Sequence, residues 1–270
     1  MMKSKPSSRS IKSKKRKRSA PAGPLIRCVI FDLDDTLYDC LGQRVRPAHR
    51  HAAEAMVAAG LRGKVEDVYH ARLRAFQTDP MLRHIDAEVI RHFGAAEPEA
   101  VSRAAHDAYF NCPVGKLTLF RGTLPLLHFL KKNGVRTFIT TFGDVETQHA
   151  KVQSLGLDHE PAVEKIYYAD RAKRMTKEVA FKTIQAETGI AAREILVVGD
   201  RPMSEIRAAK GLGMHTVRLR RGEFASQVPV DSIERADHEI TNISQVRGLS
   251  YRFGSNESAR PPKGTARKPA

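Results

Sequence analysis

Apolar residues along the chain follow two alternating patterns. Short apolar runs rich in β-branched residues, such as residues 28–31 and 195–198, predict buried strands, and polar residues follow each run directly. Longer segments with helical periodicity lie between such runs. Residues 122–134, for example, combine a cap at Thr123, an apolar face and a terminal Gly134. This alternation predicts an α/β fold with a parallel sheet.

The second half of the chain continues the alternation. The pattern predicts a strand over residues 135–140, a helix over 145–155 and a short strand over 165–169. Residues 211–219 predict a helix end followed by a strand, and residues 236–240 predict the final strand. We expect His215 and His238 at the edge of the core rather than in a metal site.

About ninety residues without a clear strand separate the first strand from the next. Helical patterns cover residues 47–59, 65–76, 87–93 and 98–110. We therefore predict a helical domain over residues 40–115, inserted into an α/β core formed by residues 23–39 and 116–248. Arg44, Arg46, His49 and His51 near the start of the insert are candidate substrate contacts, although an exposed basic helix start is the more frequent role of such residues.

The two ends of the chain carry most of its charge. Of the formal net charge of +16, residues 1–22 contribute nine positive charges and residues 247–270 a net five, which leaves +2 for residues 23–246. Both ends are rich in Ser and Pro, so we predict disordered basic tails over 1–22 and 249–270. Such tails favour weak tethering to polyanions rather than a nucleic-acid groove. The basic run 12–18 could also serve as a nuclear address in a eukaryote.

Three cysteines without a C-x-x-C spacing make a disulfide framework or a zinc site improbable and fit a reducing compartment. There is no apolar run of membrane-spanning length and no apolar segment near the start that would act as a secretory signal. We therefore expect a cytoplasmic protein without a membrane span. The oligomeric state is not predicted.

Asp32 and Asp34 follow the first predicted strand directly. In a parallel sheet this places them at the carboxyl end of the strand, where ligands bind, and residues two apart on an extended segment point the same way. Two neighbouring carboxylates favour a hard dication with oxygen ligands, so the pair predicts a magnesium-dependent centre. The alternative is an acidic turn or a helix cap.

The hexapeptide Asp32-Leu-Asp-Asp-Thr-Leu37 resembles motif I of the haloacid dehalogenase superfamily. The resemblance implies a Rossmann-like doubly wound core, and it implies that the helical insert is a C1-type cap that selects the substrate. By the same resemblance Asp32 is the nucleophile that forms an aspartyl-phosphate. Asp34 would be the general acid and base, with a pKa raised while it holds the proton for the leaving oxygen.

Two further segments resemble motifs II and III of the superfamily. Thr141, followed by Phe142 and a Gly-Asp turn, is favoured over Thr140 as the hydroxyl that holds the phosphoryl group, and Phe142 is expected at the substrate. Lys177 is favoured over Lys173 as the lysine that neutralises Asp32 and the phosphoryl charge, although the usual Lys-Pro signature is absent.

Gly199-Asp200, with Glu205 five residues further, resembles motif IV with Glu in place of its final Asp. The resemblance implies that Asp200 binds Mg²⁺ directly and that Glu205 does so directly or through water. Asp32 and the backbone carbonyl of Asp34 would complete the metal site. Gly199 is expected to permit a sharp turn and to leave room for the metal.

Taken together, the motifs imply a Mg²⁺-dependent phosphomonoester hydrolase that acts on a small phosphorylated metabolite, such as a phosphoglycolate-, nucleotide- or sugar-phosphate-like compound. Asp34 favours phosphatase over dehalogenase chemistry, because cleavage of a carbon–halogen bond needs no proton on the leaving group. A phosphomutase would use the same residues. A non-catalytic protein that binds phospho-ligands or polyanions is the alternative from another class.

Overall fold

The computed structural model describes residues 23–78, 84–169 and 176–254. A short parallel pair joins β1 (Leu25–Ile26) to β8 (Arg252–Phe253). The main sheet contains β2 (Cys28–Asp32), β3 (Arg136–Phe142), β4 (Lys165–Ala169), β5 (Ile195–Gly199), β6 (His215–Leu219) and β7 (His238–Ile240). Within the described residues these six strands are all parallel and lie in the spatial order β4-β3-β2-β5-β6-β7. This topology confirms the predicted α/β fold class.

Helices cover both faces of the sheet. The core helices are α5 (Thr123–Lys132), α6 (Val145–Ser154), α7 (Lys177–Thr188) and α8 (Arg207–Gly211). Val29 and Phe31 of β2 pack in one apolar cluster with residues of α5 and α6, whereas Cys28 and Ile30 pack in another with residues of α7 and α8. The alternation of side chains along a strand thus buries β2 on both sides, as expected for a doubly wound sheet.

The helical insert has its own apolar cluster. It consists of α1 (Arg46–Ala58), α2 (Val65–Thr78), α3 (Ile85–Phe93) and α4 (Pro98–Phe110), which begin and end within two residues of the predicted positions. A short π-helical segment, Leu41–Val45, leads into α1. Gln43 in this segment is hydrogen-bonded to the backbone and hydroxyl of Thr118 at 2.8–3.0 Å, which ties the two connections between insert and core together.

Two local predictions are corrected. Strand β3 continues two residues beyond residue 140, because Thr141 and Phe142 pair with Tyr168 and Ala169 of β4. Gly122, not Thr123, is the N-cap of α5. The hydroxyl of Thr123 instead donates to the backbone oxygen of Leu37 at 2.9 Å, which fastens α5 to the segment after β2.

The predicted tail beginning at residue 249 is also revised. Residues 249–254 belong to the packed core, where Tyr251 is 6% exposed and β8 pairs with β1. Residues 1–22 and 255–270 lie outside the described residues, so polyanion tethering through them stays a prediction. In the part of the chain that is described, no helix is both long enough and apolar enough to cross a membrane.

Candidate active site

Asp32 is the last residue of β2, in the middle of the sheet. Burial of the apolar residues before it fixes the strand, and pairing with β3 and β5 on either side brings Asp32 to the edge where three strands end. Its carboxylate accepts a hydrogen bond from the Thr36 hydroxyl at 3.1 Å and lies 2.5 Å from the ammonium of Lys177. Asp32 therefore combines a fixed position with a direct counter-ion.

Lys177 is the first residue of α7 and is 6% exposed. The Thr176 hydroxyl caps this helix by accepting from the Val179 N–H at 3.2 Å. Besides Asp32, the ammonium contacts Glu205 Oε1 at 3.3 Å and the backbone oxygen of Thr140 at 2.6 Å. Lys177 thus joins the two acidic segments that were predicted to meet. Its rival Lys173 lies outside the described residues.

Asp200 and Glu205 follow β5, the neighbour of β2. Both are buried, and a Cβ atom on Gly199 would stand 2.8 Å from the Cβ and Cγ atoms of Glu205. The missing side chain of Gly199 therefore leaves room for Glu205, where the sequence predicted room for the metal. Burial and then the negative charges of Asp32 and Glu205 raise the pKa of Asp200 well above its usual range.

The buried acidic groups exceed their local counter-charge. Burial raises the pKa of Asp32 to about 7, the Lys177 ammonium opposes this, and the charges of Glu205 and Asp34 add to it. Glu205 Oε2 is buried without a hydrogen-bond partner in the structure. A dication would relieve both the excess charge and the unpaired oxygen.

The described residues contain no group of three or more His, Cys, Asp or Glu side chains arranged to hold a metal ion. Mg²⁺, however, keeps several water ligands and commonly uses one or two carboxylates, so Asp32 and Asp200 are sufficient side chains for it. The donor set, all oxygen and buried, fits Mg²⁺ rather than a softer metal.

Asp34 faces a different partner from Asp32. Both of its carboxylate oxygens lie 2.9 Å from the Lys151 ammonium, and the Tyr38 hydroxyl donates to Oδ1 at 2.7 Å. Burial by itself would raise the pKa of Asp34, but Lys151 and the hydrogen bonds hold it below its usual value. The expectation of a raised pKa is therefore wrong for this structure, in which Asp34 is an ionised carboxylate.

Sequence reasoning missed Lys151. It lies on α6, is 5% exposed and stands one turn after the buried Gln148. A lysine and a glutamine three residues apart on a helix share one face, and both follow the predicted motif II. That shared face was the available signal, but the amphipathic pattern of α6 alone does not show that it faces the acidic strand ends.

The two candidate threonines face different groups. Thr141 donates from its hydroxyl to Gln148 Oε1 at 2.9 Å, whereas Thr140 lies next to Lys177. The Gln148 side chain in turn lies 3.4 Å from Asp34, so Thr141 belongs to the Asp34 network. A cavity opens over these residues, and Phe142 lines it but neither threonine does.

Comparison with known proteins places this arrangement in a family. A family model described as haloacid dehalogenase-like hydrolase matches residues 26–213, more than half of the chain. The chain belongs to the haloacid dehalogenase-like hydrolases.

Curated relatives narrow the activity. A glyceraldehyde 3-phosphate phosphatase from Methanopyrus kandleri is 30% identical over 221 residues, covering 80% of this chain and 93% of the relative. Hexitol phosphatase A from Escherichia coli is 29% identical over 234 residues, covering 83% and 98% of the two chains. This haloacid dehalogenase-like hydrolase is accordingly a phosphatase.

A solved structure supports the fold independently. The crystal structure of a predicted phosphoglycolate phosphatase from Haemophilus somnus matches with a TM-score of 0.57 and 16% identity, covering 83% of this chain and 97% of that chain. At this identity the match supports the Rossmann-like core and no finer feature.

The cavity of this hydrolase has a volume of about 760 Å³. Its lining includes Arg44 from the connection before α1, Tyr109 from α4 of the helical insert, and five residues of the core: Asp32, Asp34, Lys177, Asp200 and Glu205. Cavities of roughly 300–1,000 Å³ are typical of small-ligand sites.

The four basic residues near the start of the insert divide into two pairs. Arg46 and His51 are exposed, as expected, whereas Arg44 and His49 are buried. The expectation of an exposed basic helix start is therefore wrong for Arg44 and His49. Arg44 lines the cavity, and His49 lies in the apolar interior of the insert between Phe76 and Tyr109.

Proposed function

We propose that this phosphatase hydrolyses a small phosphomonoester through an aspartyl-phosphate formed on Asp32, with Mg²⁺ as cofactor. The observation that carries the proposal is the position of Asp32 at the end of the central strand, in contact with Lys177 and close to the buried Asp200 and Glu205. An acidic turn or a helix cap would not require four separate segments to meet around one carboxylate.

The metal-binding residues in this proposal are Asp32, the backbone carbonyl of Asp34, Asp200 and Glu205. Bound Mg²⁺ would neutralise phosphate charge so that a carboxylate can approach an anion. Glu205 is the longer of the motif IV side chains and already contacts Lys177. We therefore assign it a contact through water or a supporting role.

The protein side chains act in two in-line displacements. A carboxylate oxygen of Asp32 attacks phosphorus while the ester oxygen leaves with a proton from Asp34. Water then attacks the aspartyl-phosphate, Asp34 takes the water proton, and phosphate is released with Asp32 regenerated. Lys177 stabilises the charge that develops on the phosphoryl oxygens.

In its ion pair with Lys151, Asp34 is ionised, and this is the form that accepts the water proton in the second displacement. For the first displacement Asp34 must carry a proton, which weakens its attraction to Lys151. Thr141 supports this network by orienting Gln148 beside Asp34. We therefore propose that Thr141 supports the Asp34 network through Gln148. To bind the phosphoryl group instead, the Thr141 hydroxyl would have to leave its hydrogen bond with Gln148.

The relatives guide the proposed substrate class. They are named for glyceraldehyde 3-phosphate and hexitol phosphates, and the cavity volume suits phosphorylated compounds from three carbons to the size of a sugar. We propose a phosphorylated metabolite in that range as the substrate.

The test measures phosphate release from p-nitrophenyl phosphate and from a panel of sugar and triose phosphates, with Mg²⁺ and with EDTA. We expect Mg²⁺-dependent turnover that Asp32→Asn lowers at least about 1,000-fold, because the nucleophile is lost. Asp107→Asn, at an exposed position of the insert, is the matched control and should stay within about twofold. Mg²⁺-dependent turnover that survives Asp32→Asn would refute the nucleophile, and isomerised sugar phosphate without free phosphate would indicate a mutase.

A further inference from the structure

Four described basic side chains line the cavity, and three of them face carboxylates. The pairs are Lys177 with Asp32 at 2.5 Å, Lys151 with Asp34 at 2.9 Å and Arg201 with Glu223 at 4.0 Å. Arg44 is the fourth. It is 9% exposed, its Nε atom has no hydrogen-bond partner, and it makes no ion pair with any described residue.

The backbone around Arg44 is held in place. Asp35 Oδ1 accepts from the Leu41 N–H at 3.0 Å, Asp39 Oδ1 accepts from the Gly42 N–H at 2.8 Å, and Gln43 is bound to Thr118. These bonds hold the three residues directly before Arg44. The guanidinium is therefore presented to the cavity from a rigid connection and not from a freely moving loop.

A buried cation without a counter-ion is unfavourable, because burial removes water from the charge and no carboxylate replaces it. Tyr109 and Lys151 lie within electrostatic range of Arg44 and also line the cavity. Lys151 is already paired with Asp34, so Arg44 brings to the cavity a positive charge that no described carboxylate pairs with. A planar guanidinium is suited to bind a carboxylate or a phosphate through two parallel hydrogen bonds.

We propose that Arg44 binds a second anionic group of the substrate, a carboxylate or a second phosphate, at the end of the molecule away from the phosphoryl group that is transferred. The inference rests on the proposed function, since it assumes that the transferred group lies at Asp32. It narrows the substrate class from phosphomonoesters in general to phosphorylated compounds with an additional acidic group.

The experiment compares substrates that differ only in the distal group. 3-Phosphoglycerate against glyceraldehyde 3-phosphate exchanges a carboxylate for an aldehyde, and fructose 1,6-bisphosphate against fructose 6-phosphate adds a second phosphate. p-Nitrophenyl phosphate, which has no second anion, serves as the reference. The variants are Arg44→Met, Arg44→Lys and, as matched control, Arg46→Met at an exposed arginine two residues away.

We expect the wild-type enzyme to prefer the anion-bearing member of at least one pair, which identifies the anion as carboxylate or phosphate. Arg44→Met should lower kcat/KM for that substrate about 30-fold or more, while p-nitrophenyl phosphate changes less than about threefold. Arg44→Lys should recover part of the loss, and Arg46→Met should resemble wild type. Equal losses with all substrates, or no loss with any, would overturn the proposal.

A binding measurement separates this inference from the proposed mechanism. In the Asp32→Asn background, calorimetric titration with the preferred anion-bearing compound reports affinity without turnover. Adding Arg44→Met should weaken Kd at least about tenfold. An unchanged Kd would refute the role of Arg44 even if Asp32 is the nucleophile. If the wild-type protein shows no phosphatase turnover while Arg44→Met still weakens Kd, the mechanism is refuted and the anion site stays in place.

Discussion

Lys151 stabilises the ionised form of Asp34. Its buried ammonium lies 2.9 Å from both oxygens of the part-buried Asp34 carboxylate, so the charge of one side chain depends on the other. In the proposed mechanism Lys151 does not touch the reacting atoms. It is a positioning residue that acts through Asp34.

The consequence of removing this ammonium depends on the leaving group. With an alkyl phosphate, Lys151→Met should lower kcat about ten- to hundredfold with little change in KM, because Asp34 loses its orientation. With p-nitrophenyl phosphate the loss should be smaller, since p-nitrophenolate leaves without a proton. Lys151→Arg should restore part of the activity. Steady-state kinetics with both substrates checks this, with Lys132→Met at an exposed lysine of α5 as control. A loss of the same size with both substrates would show that Lys151 has only a structural role.

The environment of His49 opposes its charged form. It is fully buried in the insert, both ring nitrogens lack hydrogen-bond partners, and the aromatic rings of Phe76 and Tyr109 lie about 5 Å away. Burial, together with the charge of Arg72, lowers the pKa of His49 to about 3. In the unfolded chain His49 therefore becomes protonated near pH 6.5, whereas in the folded protein it stays neutral at that pH.

The sign of the pH effect follows from this difference. Stability contributed by neutral His49 is fully present above pH 6.5 and is lost as the pH falls toward 3. Between pH 7 and pH 5 the wild type should lose about 2 kcal/mol of unfolding free energy relative to His49→Leu. Urea unfolding at both pH values measures it, with His51→Leu at the neighbouring exposed histidine as control. Parallel pH dependence in wild type and His49→Leu would contradict the assignment.

Among the secondary-structure elements, the loop after β6 contacts the segment after β2. Asp35 connects three parts of the structure, since its Oδ1 accepts from the Leu41 N–H at 3.0 Å and its Oδ2 accepts from the Glu223 N–H at 3.3 Å. Gly222 has a φ of +66°, and a Cβ atom there would stand 2.0 Å from Asp35 Cγ. The loop thus needs glycine for both its backbone angle and its close contact.

Two glycine variants separate these requirements. Gly213 has a similar φ of +74°, and a Cβ atom there would have no neighbouring atom within 4 Å, so Gly213→Ala should cost about 1 kcal/mol from backbone strain alone. Gly222→Ala should cost about 2–4 kcal/mol and also lower turnover, because displacement of Asp35 releases the start of the segment that carries Arg44. Urea unfolding and phosphatase assays of the two variants test this. Equal effects of the two substitutions would show that the contact with Asp35 is unimportant.

In the molecule as a whole, the first and last described strands lie side by side. Strand β1 pairs with β8, and Tyr251 packs against His215 and His238 with ring centroids 5.3 Å apart in each case. A segment near the end of the chain therefore covers the edge of the sheet where β6 and β7 begin.

Two truncations test how far the packed core extends. A chain ending at residue 248 loses β8 and the buried Tyr251, so its unfolding free energy should fall by about 3 kcal/mol or more. A chain ending at residue 254 keeps every described contact and should stay within about 1 kcal/mol of the full chain. Urea unfolding of both chains, with full-length Tyr251→Ala as a point-substitution check, measures the difference. Equal stability of the two truncated chains would place the boundary of the core before residue 249.

The sequence by itself determined the fold class and the strand-end positions of Asp32 and Asp200. Apolar runs that stop at acidic residues predict strands, and parallel strands necessarily place their carboxyl ends along one edge. These two features depend on local pattern and on the geometry of a parallel sheet, so no knowledge of distant contacts was needed. The choice of Lys177 depended instead on the resemblance to motif III, and the structure places this lysine as the first residue of α7.

Tertiary structure alone decided which side chains face each other. Lys151 reaches Asp34 across 117 positions of sequence, Tyr251 returns to the core from a stretch with tail-like composition, and Arg44 is buried although its neighbour Arg46 is exposed. The direction of Thr141 toward Gln148 likewise depends on where α6 packs on β3. The type of a residue sets its preference for burial. Whether its charge finds a partner of opposite sign depends on elements that are distant in sequence.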